Sequence, residues 1–254
     1  IFDEVQLCER ALTSLKYFCE NAPDYHIIVA GSLLGIAVNR SKFSFPVGKV
    51  DMKTLYPLDM EEFMLAMDAG ALVEQIRECF AADTPLPSAL HDTAMQLYRQ
   101  YLIVGGMPEC VMQFAQTKDY ILVRHTQNTI LASYLNDMSK YNNINEIKKT
   151  RLAYDNITVQ LSRKNTRFQY KLIKKGGRAS EFENAIEWLC LSGIVSRVYR
   201  AEQIKKPLEN YRDIDAFKIY VSDTGLLCAK KEIAANDILY MVEELNDFKG
   251  GMVE

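Results

Sequence analysis

Residues 1–32, which read IFDEVQLCERALTSLKYFCENAPDYHIIVAGS, decide the fold class of the first part of the chain. The stretch opens with an apolar pair that is followed by two acids, Asp3 and Glu4. Apolar residues then recur at helical spacing over residues 8–21, and after a proline break comes the β-branched run His26–Ala30. A strand, a helix and a second strand over so short a stretch form a βαβ unit, which predicts a parallel sheet.

Asp3 and Glu4 stand where the first predicted strand ends. In P-loop ATPases an acid at this position holds the water around Mg²⁺, and the adjacent glutamate polarises the water that attacks the γ-phosphate. The second predicted strand ends at Gly31-Ser32, and a parallel sheet would bring Ser32 to the same edge. An acidic pair also caps helices, but the coincidence with Ser32 favours the catalytic interpretation.

The phosphate-binding loop of such ATPases, Gly-x-x-x-x-Gly-Lys-Ser/Thr, is not found in the sequence. Gly48-Lys49 and Gly176-Gly177-Arg178 lack both its spacing and its preceding strand. We therefore expect no efficient ATP hydrolysis by these 254 residues alone. Because the chain opens inside an apolar run, we interpret it as a fragment of a longer protein.

The rest of the chain is predicted to be mainly helical. Met52–Tyr56 indicates one more strand, Asp59 an N-cap, and residues 71–160 a succession of helices. Gly105-Gly106-Met107-Pro108 predicts a turn with positive φ, and Asp223-Thr224-Gly225 predicts the end of a strand and the cap of a helix.

A basic segment, Lys140–Lys206, carries 15 Lys and Arg against 6 Asp and Glu, while the rest of the chain has 15 against 27. Such segregation indicates a polyanionic partner, although lysines on a solvated helical face give the same count. Helices are predicted at about 146–163, near 170–174 and over 181–191, followed by two strands. This order is that of a winged helix. The overall prediction is α/β plus mainly α: the remnant of a parallel-sheet P-loop domain over 1–66, and a helical, winged-helix-like domain over 67–254.

The basic side chains of this segment are candidates for phosphate contacts, namely Lys164, Arg167, Lys171, Lys174, Lys175 and Arg178. The third predicted helix carries Glu181, Glu183 and Glu187, which would face a major groove poorly. Non-specific nucleic-acid binding and protein docking both stay open, and base-specific recognition is less favoured.

Several motifs together resemble the bacterial and archaeal predicted AAA+ ATPases with a C-terminal domain of unknown function. The first segment, Ile1–Gln6, is similar to their Walker B segment. The other similar stretches are Val29–Gly35, Gly48–Val50, Leu55–Phe63, Tyr101–Glu109, Trp188–Val195 and Lys218–Leu227. The resemblance covers nearly the whole chain.

The resemblance implies roles for four residues. Asp3 would be the acid on the magnesium side, Glu4 the catalytic base and Ser32 the polar sensor. Lys49 stands where the family commonly has an arginine, so it would contact nucleotide only as a point charge. ATP and Mg²⁺ would bind in the parent protein and not in this fragment.

The remaining expectations concern partners and location. The six cysteines and three histidines are scattered, which predicts buried, reduced thiols, no structural metal and a cytoplasmic protein. No apolar run is long enough to span a bilayer. We expect an ATPase coupled to a DNA or protein partner, with homo-oligomers possible through the AAA+ part. The alternative is a non-catalytic DNA- or protein-binding regulatory module.

Overall fold

A computed structural model describes residues 1–31, 46, 48–140, 144–161, 167–240 and 246–253. Most of these residues are helical. The helices are α1 Glu9–Asn21, α2 Met60–Ala66, α3 Gly70–Ala81, α4 Ser88–Val104, α5 Pro108–Thr117, α6 Tyr120–Lys140, α7 Ile144–Leu161, α8 Ala179–Leu191, α9 Thr224–Lys230, α10 Ala235–Leu239 and α11 Asn246–Val253. The two strands are β1 Val195–Ala201 and β2 Arg212–Val221. None of the described helices is both long and apolar enough to cross a lipid bilayer.

Among the described residues, the predicted parallel sheet is present only as one isolated bridge, and the predicted strands Ile1–Phe2 and His26–Ala30 do not form. Phe2 and Val29 make an isolated parallel bridge, and α1 connects its two sides. The Phe2 amide donates to the Ile28 carbonyl at 2.9 Å, and the Ala30 amide donates to the Phe2 carbonyl at 2.9 Å. A small apolar cluster of Val5, Leu12 and Leu15 packs beneath the bridge.

The predicted strand Met52–Tyr56 is wrong. These residues form neither strand nor helix, and Leu55 is 94% exposed. No described strand lies alongside them to pair with their backbone, and β-branched or aromatic composition alone does not make a strand. The segment instead leads into α2, where Asp59 is the N-cap as predicted. Its carboxylate accepts from the Glu62 amide at 2.9 Å.

The helices enclose three larger apolar clusters. One lies around Phe63, where α2 meets the end of α4, α5 and the start of α6. A second joins α4 to α9, α10 and α11 around Leu102 and Ile238. The third and largest packs α7 and α8 against the strands, with Tyr154, Ile186 and Leu189 buried. The predicted domain boundary at residue 66 stays a prediction. Helix α2 precedes it and packs on helices that follow it.

The basic segment has the predicted order of elements. Helices α7 and α8 precede an antiparallel hairpin in which Val195 pairs with Val221. Between the helices the structure has one 3₁₀ turn, Tyr170–Leu172, in place of the short second helix. The winged-helix assignment goes beyond this order and stays a prediction.

The buried carboxylate of Asp223 connects the Gly105–Pro108 turn to the start of α9. Asp223 is 5% exposed and caps α9, accepting from the Leu226 amide at 2.7 Å. Its other oxygen accepts from the Gly106 amide at 2.6 Å, in the turn between α4 and α5. Gly105 has φ of 75°, as predicted, and a Cβ there would lie 2.2 Å from the Asp223 carboxylate. Burial raises the pKa of Asp223, although the backbone hydrogen bonds oppose this.

Two half-buried tyrosines predict how the stability of the fold falls at alkaline pH. Burial raises the pKa of both Tyr101 and Tyr134 to about 12. An unfolded tyrosine has a pKa of about 10, so these phenols stabilise the native state below that pH. That contribution is lost as the pH rises from about 10 to about 12. We expect the thermal midpoint, followed by circular dichroism, to fall steeply over this interval. Tyr134→Phe should make the fall shallower, and a midpoint that is constant up to pH 12 would contradict the assignment.

Candidate functional site

The acidic turn, which consists of Asp3 and Glu4, directly follows the parallel bridge. Both side chains are exposed. Glu4 has φ of 49° and ψ of 40°, a left-handed conformation that non-glycine residues rarely adopt. Directly after this residue, the Val5 amide donates to the Ala30 carbonyl at 3.0 Å, and the Val5 side chain is buried. The two acids are thereby left on the surface at the end of the bridge.

Backbone hydrogen bonds set the geometry around the two acids. The Glu4 amide donates to the Asp3 carboxylate at 2.9 Å, which orients Asp3 relative to the backbone. The neighbouring chain at Ala30 and Gly31 runs alongside, because Ala30 is hydrogen-bonded to Phe2 and to Val5. Strained backbone of this kind is frequent at functional sites.

The donor set fits a hard cation such as Mg²⁺ only in part. Carboxylate oxygens suit Mg²⁺, which usually takes one or two protein carboxylates and completes its shell with water and phosphate oxygens. Within the described ranges, no group of three His, Cys, Asp or Glu side chains could hold a metal. A magnesium ion at Asp3 would therefore depend on ligands from water and from a nucleotide.

The predicted nucleotide site has two further residues, of which the structure describes only Lys49. Lys49 lies in a turn, with its Nζ 3.4 Å from a carboxylate oxygen of Glu20 at the end of α1. Ser32 lies outside the described residues. Their roles toward nucleotide stay predictions.

A second candidate site is a cleft of about 830 Å³ in the basic segment. We call it the basic cleft. It is bounded by the segment 167–171, by residues 177–180 at the start of α8, and by the two strands. Three of the predicted phosphate-contacting residues line it, namely Arg167, Lys171 and Arg178.

These three side chains leave the cleft with uncompensated positive charge. All three are exposed, and none forms an ion pair with the described residues. Among the described residues, the carboxylates that line the cleft are Glu183 and Asp215, and Glu183 is already paired. Helix α8 also begins here, so the positive end of its dipole adds to the same field.

The floor of the cleft is a polar network centred on Glu183. Arg197 donates to Glu183 at 2.6 Å and to the Tyr199 hydroxyl at 3.2 Å, and the Tyr170 hydroxyl also donates to Glu183. Burial alone would raise the pKa of Glu183, but the hydrogen bonds from Tyr170 and Arg197 outweigh it and lower that pKa. For Arg197, burial alone would lower the pKa. The hydrogen bonds to Glu183 and Tyr199 outweigh burial, so the pKa of Arg197 is raised. The network therefore keeps both groups charged at neutral pH.

Aromatic rings form the remaining wall of the basic cleft. The Tyr170 ring lies edge-on to Phe168 at 5.5 Å, and Tyr199 lies 5.7 Å from Phe217, centroid to centroid. The Arg197 guanidinium stands 4.7 Å from the centroid of Phe217. Rings beside cations are the surface on which nucleobases stack in single-strand binding proteins.

The other predicted basic residues are not brought into this cleft. Lys174 lines a separate cavity of about 440 Å³ and pairs with Glu181 at 3.3 Å. Lys175 is exposed and lines neither cavity. Lys164 lies outside the described residues.

Arg197 is the cleft residue that sequence reasoning missed. The alternation along β1 was available as a signal, because Val195, Arg197 and Tyr199 share one face and Val195 is core. A charged residue on the inward face of a strand needs a partner of opposite charge, because burying an unpaired charge is costly. What the pattern did not indicate is that the partner, Glu183, comes from α8.

Comparison with known proteins finds one family match near the start of the chain and a second in its helical part. A family described as "AAA domain" matches residues 1–64, and the family described as "Domain of unknown function (DUF8612)" matches residues 95–237. No curated protein matches the chain. A similar solved structure is the Walker-type ATPase PABY2304 of Pyrococcus abyssi, with a TM-score of 0.53 and 14% sequence identity. The match covers 91% of this chain and 62% of that one, so the chain spans less than two thirds of its relative. The resemblance to an AAA-type ATPase followed by a domain of unknown function is confirmed.

Proposed function

The chain belongs to the family described as a domain of unknown function, DUF8612, and from that premise we propose that it is part of an ATPase. In this proposal the acidic turn serves Mg²⁺-ATP, and the helical domain transmits nucleotide-dependent movement to a partner. The observation that carries the proposal is the parallel Phe2–Val29 bridge, which ends in the adjacent acids Asp3 and Glu4.

Each acid has a role that its position supports. When bound, Mg²⁺ would neutralise charge on the phosphates of ATP. Asp3 would orient the magnesium ion through its water shell, with its own carboxylate oriented by the Glu4 amide. Glu4 would accept a proton from the attacking water, because its exposed carboxylate follows Asp3 on a rigid, hydrogen-bonded turn.

A physical connection between the two parts supports the coupling role. The segment after Lys49 docks on the helical domain at Leu58, whose amide donates to the Gly106 carbonyl at 2.7 Å. The Tyr101 hydroxyl donates to the Leu58 carbonyl at 2.9 Å. Gly106 is in turn held by Asp223, so a displacement of residue 58 would be passed to α9 and the hairpin.

A second candidate function is a non-catalytic regulatory module that binds DNA or protein. The cations Arg167, Lys171 and Arg178, which have no carboxylate partner among the described residues, favour it. In this version the winged-helix-like unit would do the binding, and the AAA part would be a regulatory remnant. The two candidates differ in one respect, because only the first requires ATP turnover.

The metal dependence of ATP hydrolysis tests the first candidate. In the complete protein as its gene encodes it, Asp3→Asn should raise the Mg²⁺ concentration for half-maximal turnover by roughly 10–100-fold. Asp24→Asn is the matched control, since Asp24 is an exposed carboxylate in the turn after α1. An unchanged magnesium requirement in Asp3→Asn would reject the role of Asp3.

A further inference from the structure

The basic cleft is the feature of the molecule that the ATPase proposal does not use. It combines three cations that form no ion pair with any described residue, a neutralised polar floor and the half-buried ring of Tyr170. We propose that it binds a single-stranded nucleic-acid segment. Phosphates would lie on Arg167, Lys171 and Arg178, and a base would lie against Tyr170. The proposal rests on the partner-binding role assigned above and names the class of partner.

The size of the cleft favours a single strand over a duplex. Its volume of about 830 Å³ falls in the range of sites that enclose one small molecule. One or two nucleotides fill such a space, whereas a duplex could only lie across its mouth. The phosphate of an enclosed nucleotide would meet the cations at the rim and the start of α8.

The charge pattern of α8 points in the same direction. If the domain bound a duplex through α8, the exposed side of this helix would face a groove of the duplex. That side carries Glu187, which is exposed, and Glu181, which Lys174 only partly compensates at 3.3 Å. These acids repel duplex phosphates, while the N-terminal end of α8 attracts a phosphate. The favourable surface is therefore at the helix end, where the cleft opens.

The lining also suits the non-phosphate part of a nucleotide. Tyr170 is half-buried and its hydroxyl donates to Glu183, so its ring is preorganised. The Tyr199 ring is already covered by the Arg212 guanidinium, which lies 3.6 Å from its centroid. Asp215, an exposed carboxylate within β2, could accept from a base amino group or a sugar hydroxyl. An acidic peptide has no base to stack on the ring, and its carboxylates would be repelled by Asp215.

The decisive measurement is fluorescence anisotropy of labelled eight-nucleotide dT and rU with the 254-residue chain, in EDTA and without ATP. We expect one or both to bind, and the tighter of the two identifies the strand as DNA or RNA. A 20-base-pair duplex and a glutamate-rich peptide are the competitors. Because neither ATP nor metal is present, failure of the ATPase proposal would leave this result unaffected, and the reverse also holds.

Paired substitutions distinguish the cleft from a generally basic surface. Arg167→Gln with Arg178→Gln should weaken single-strand binding roughly tenfold or more at low salt. The plot of log affinity against log salt should become less steep, its negative slope losing about 1.4 in magnitude. Lys174→Gln with Lys175→Gln removes the same charge from the same segment outside the cleft and should change little. All four side chains are exposed, so the variants should fold normally.

Cross-linking provides a second measure that charge alone would not produce. A 4-thiouracil-containing strand, irradiated in the complex, should attach to the peptide that carries Tyr170. The proposal is overturned if the two paired variants lose affinity equally, or if no single strand binds at low salt. It is also overturned if the duplex or the acidic peptide binds at least as tightly as the single strand.

Discussion

Glu4→Gln should reduce ATP turnover by the complete protein by about 100-fold or more while leaving ATP binding nearly unchanged. A positioned general base contributes on the order of 10²–10⁴ to a rate, and glutamine cannot take the proton of the attacking water. The substitution keeps the size and shape of the side chain, and Glu4 is exposed, so the fold should not change. The split between binding and turnover is the informative result, because an interaction made only in the transition state affects the rate and not the affinity.

The measurement is steady-state phosphate release together with equilibrium binding of labelled ATP. Asp24→Asn again serves as the control for the loss of one exposed carboxylate. Turnover that survives Glu4→Gln would show that another residue activates the water.

Asp223→Ala should destabilise the fold by roughly 3–5 kcal/mol, since each buried donor that loses its acceptor costs about 1–3 kcal/mol. The carboxylate accepts from the amides of Gly106 and Leu226, and backbone hydrogen bonds from Met107 and Gly225 also act on it. Removing it leaves these amides buried without an acceptor between α4, α5 and α9. Domains are typically stable by only about 5–15 kcal/mol, so the loss would be severe.

Urea unfolding followed by circular dichroism measures this effect, and Asp59→Ala is the matched control. Asp59 also caps a helix, accepting from the Glu62 amide, but it is exposed. Its loss should therefore cost about 1 kcal/mol, as is usual for an N-cap. Equal destabilisation by the two substitutions would mean that the burial of Asp223 adds nothing.

Much of the fold could be predicted where local chemistry decides the structure. The cap at Asp59, the positive φ at Gly105 and the capping role of Asp223 each follow from a residue type that favours one backbone conformation. The order of α7, α8 and the hairpin follows from periodicity. The prediction of a strand at Met52–Tyr56 was wrong because a strand needs a neighbouring strand to pair with its backbone, and residue composition does not supply one.

The candidate sites were less accessible to sequence reasoning, because they depend on contacts between distant segments. Basic residues of one sequence run lie in different places in the structure. Arg167 lines the basic cleft, whereas Lys174 lies outside it and pairs with Glu181. The partner of Arg197 is 14 residues away, on α8. Asp223 could be identified as a cap, but its bond to Gly106, 117 residues away, is a property of the tertiary structure.

The central claim, that the acidic turn serves Mg²⁺-ATP, is tested most directly by a crystal structure of the complete protein with Mg²⁺ and a non-hydrolysable ATP analogue. We predict that Asp3 contacts the magnesium ion or its water shell, and that Glu4 hydrogen-bonds a water facing the γ-phosphate. A nucleotide bound elsewhere, with both acids directed into bulk solvent, would contradict the claim.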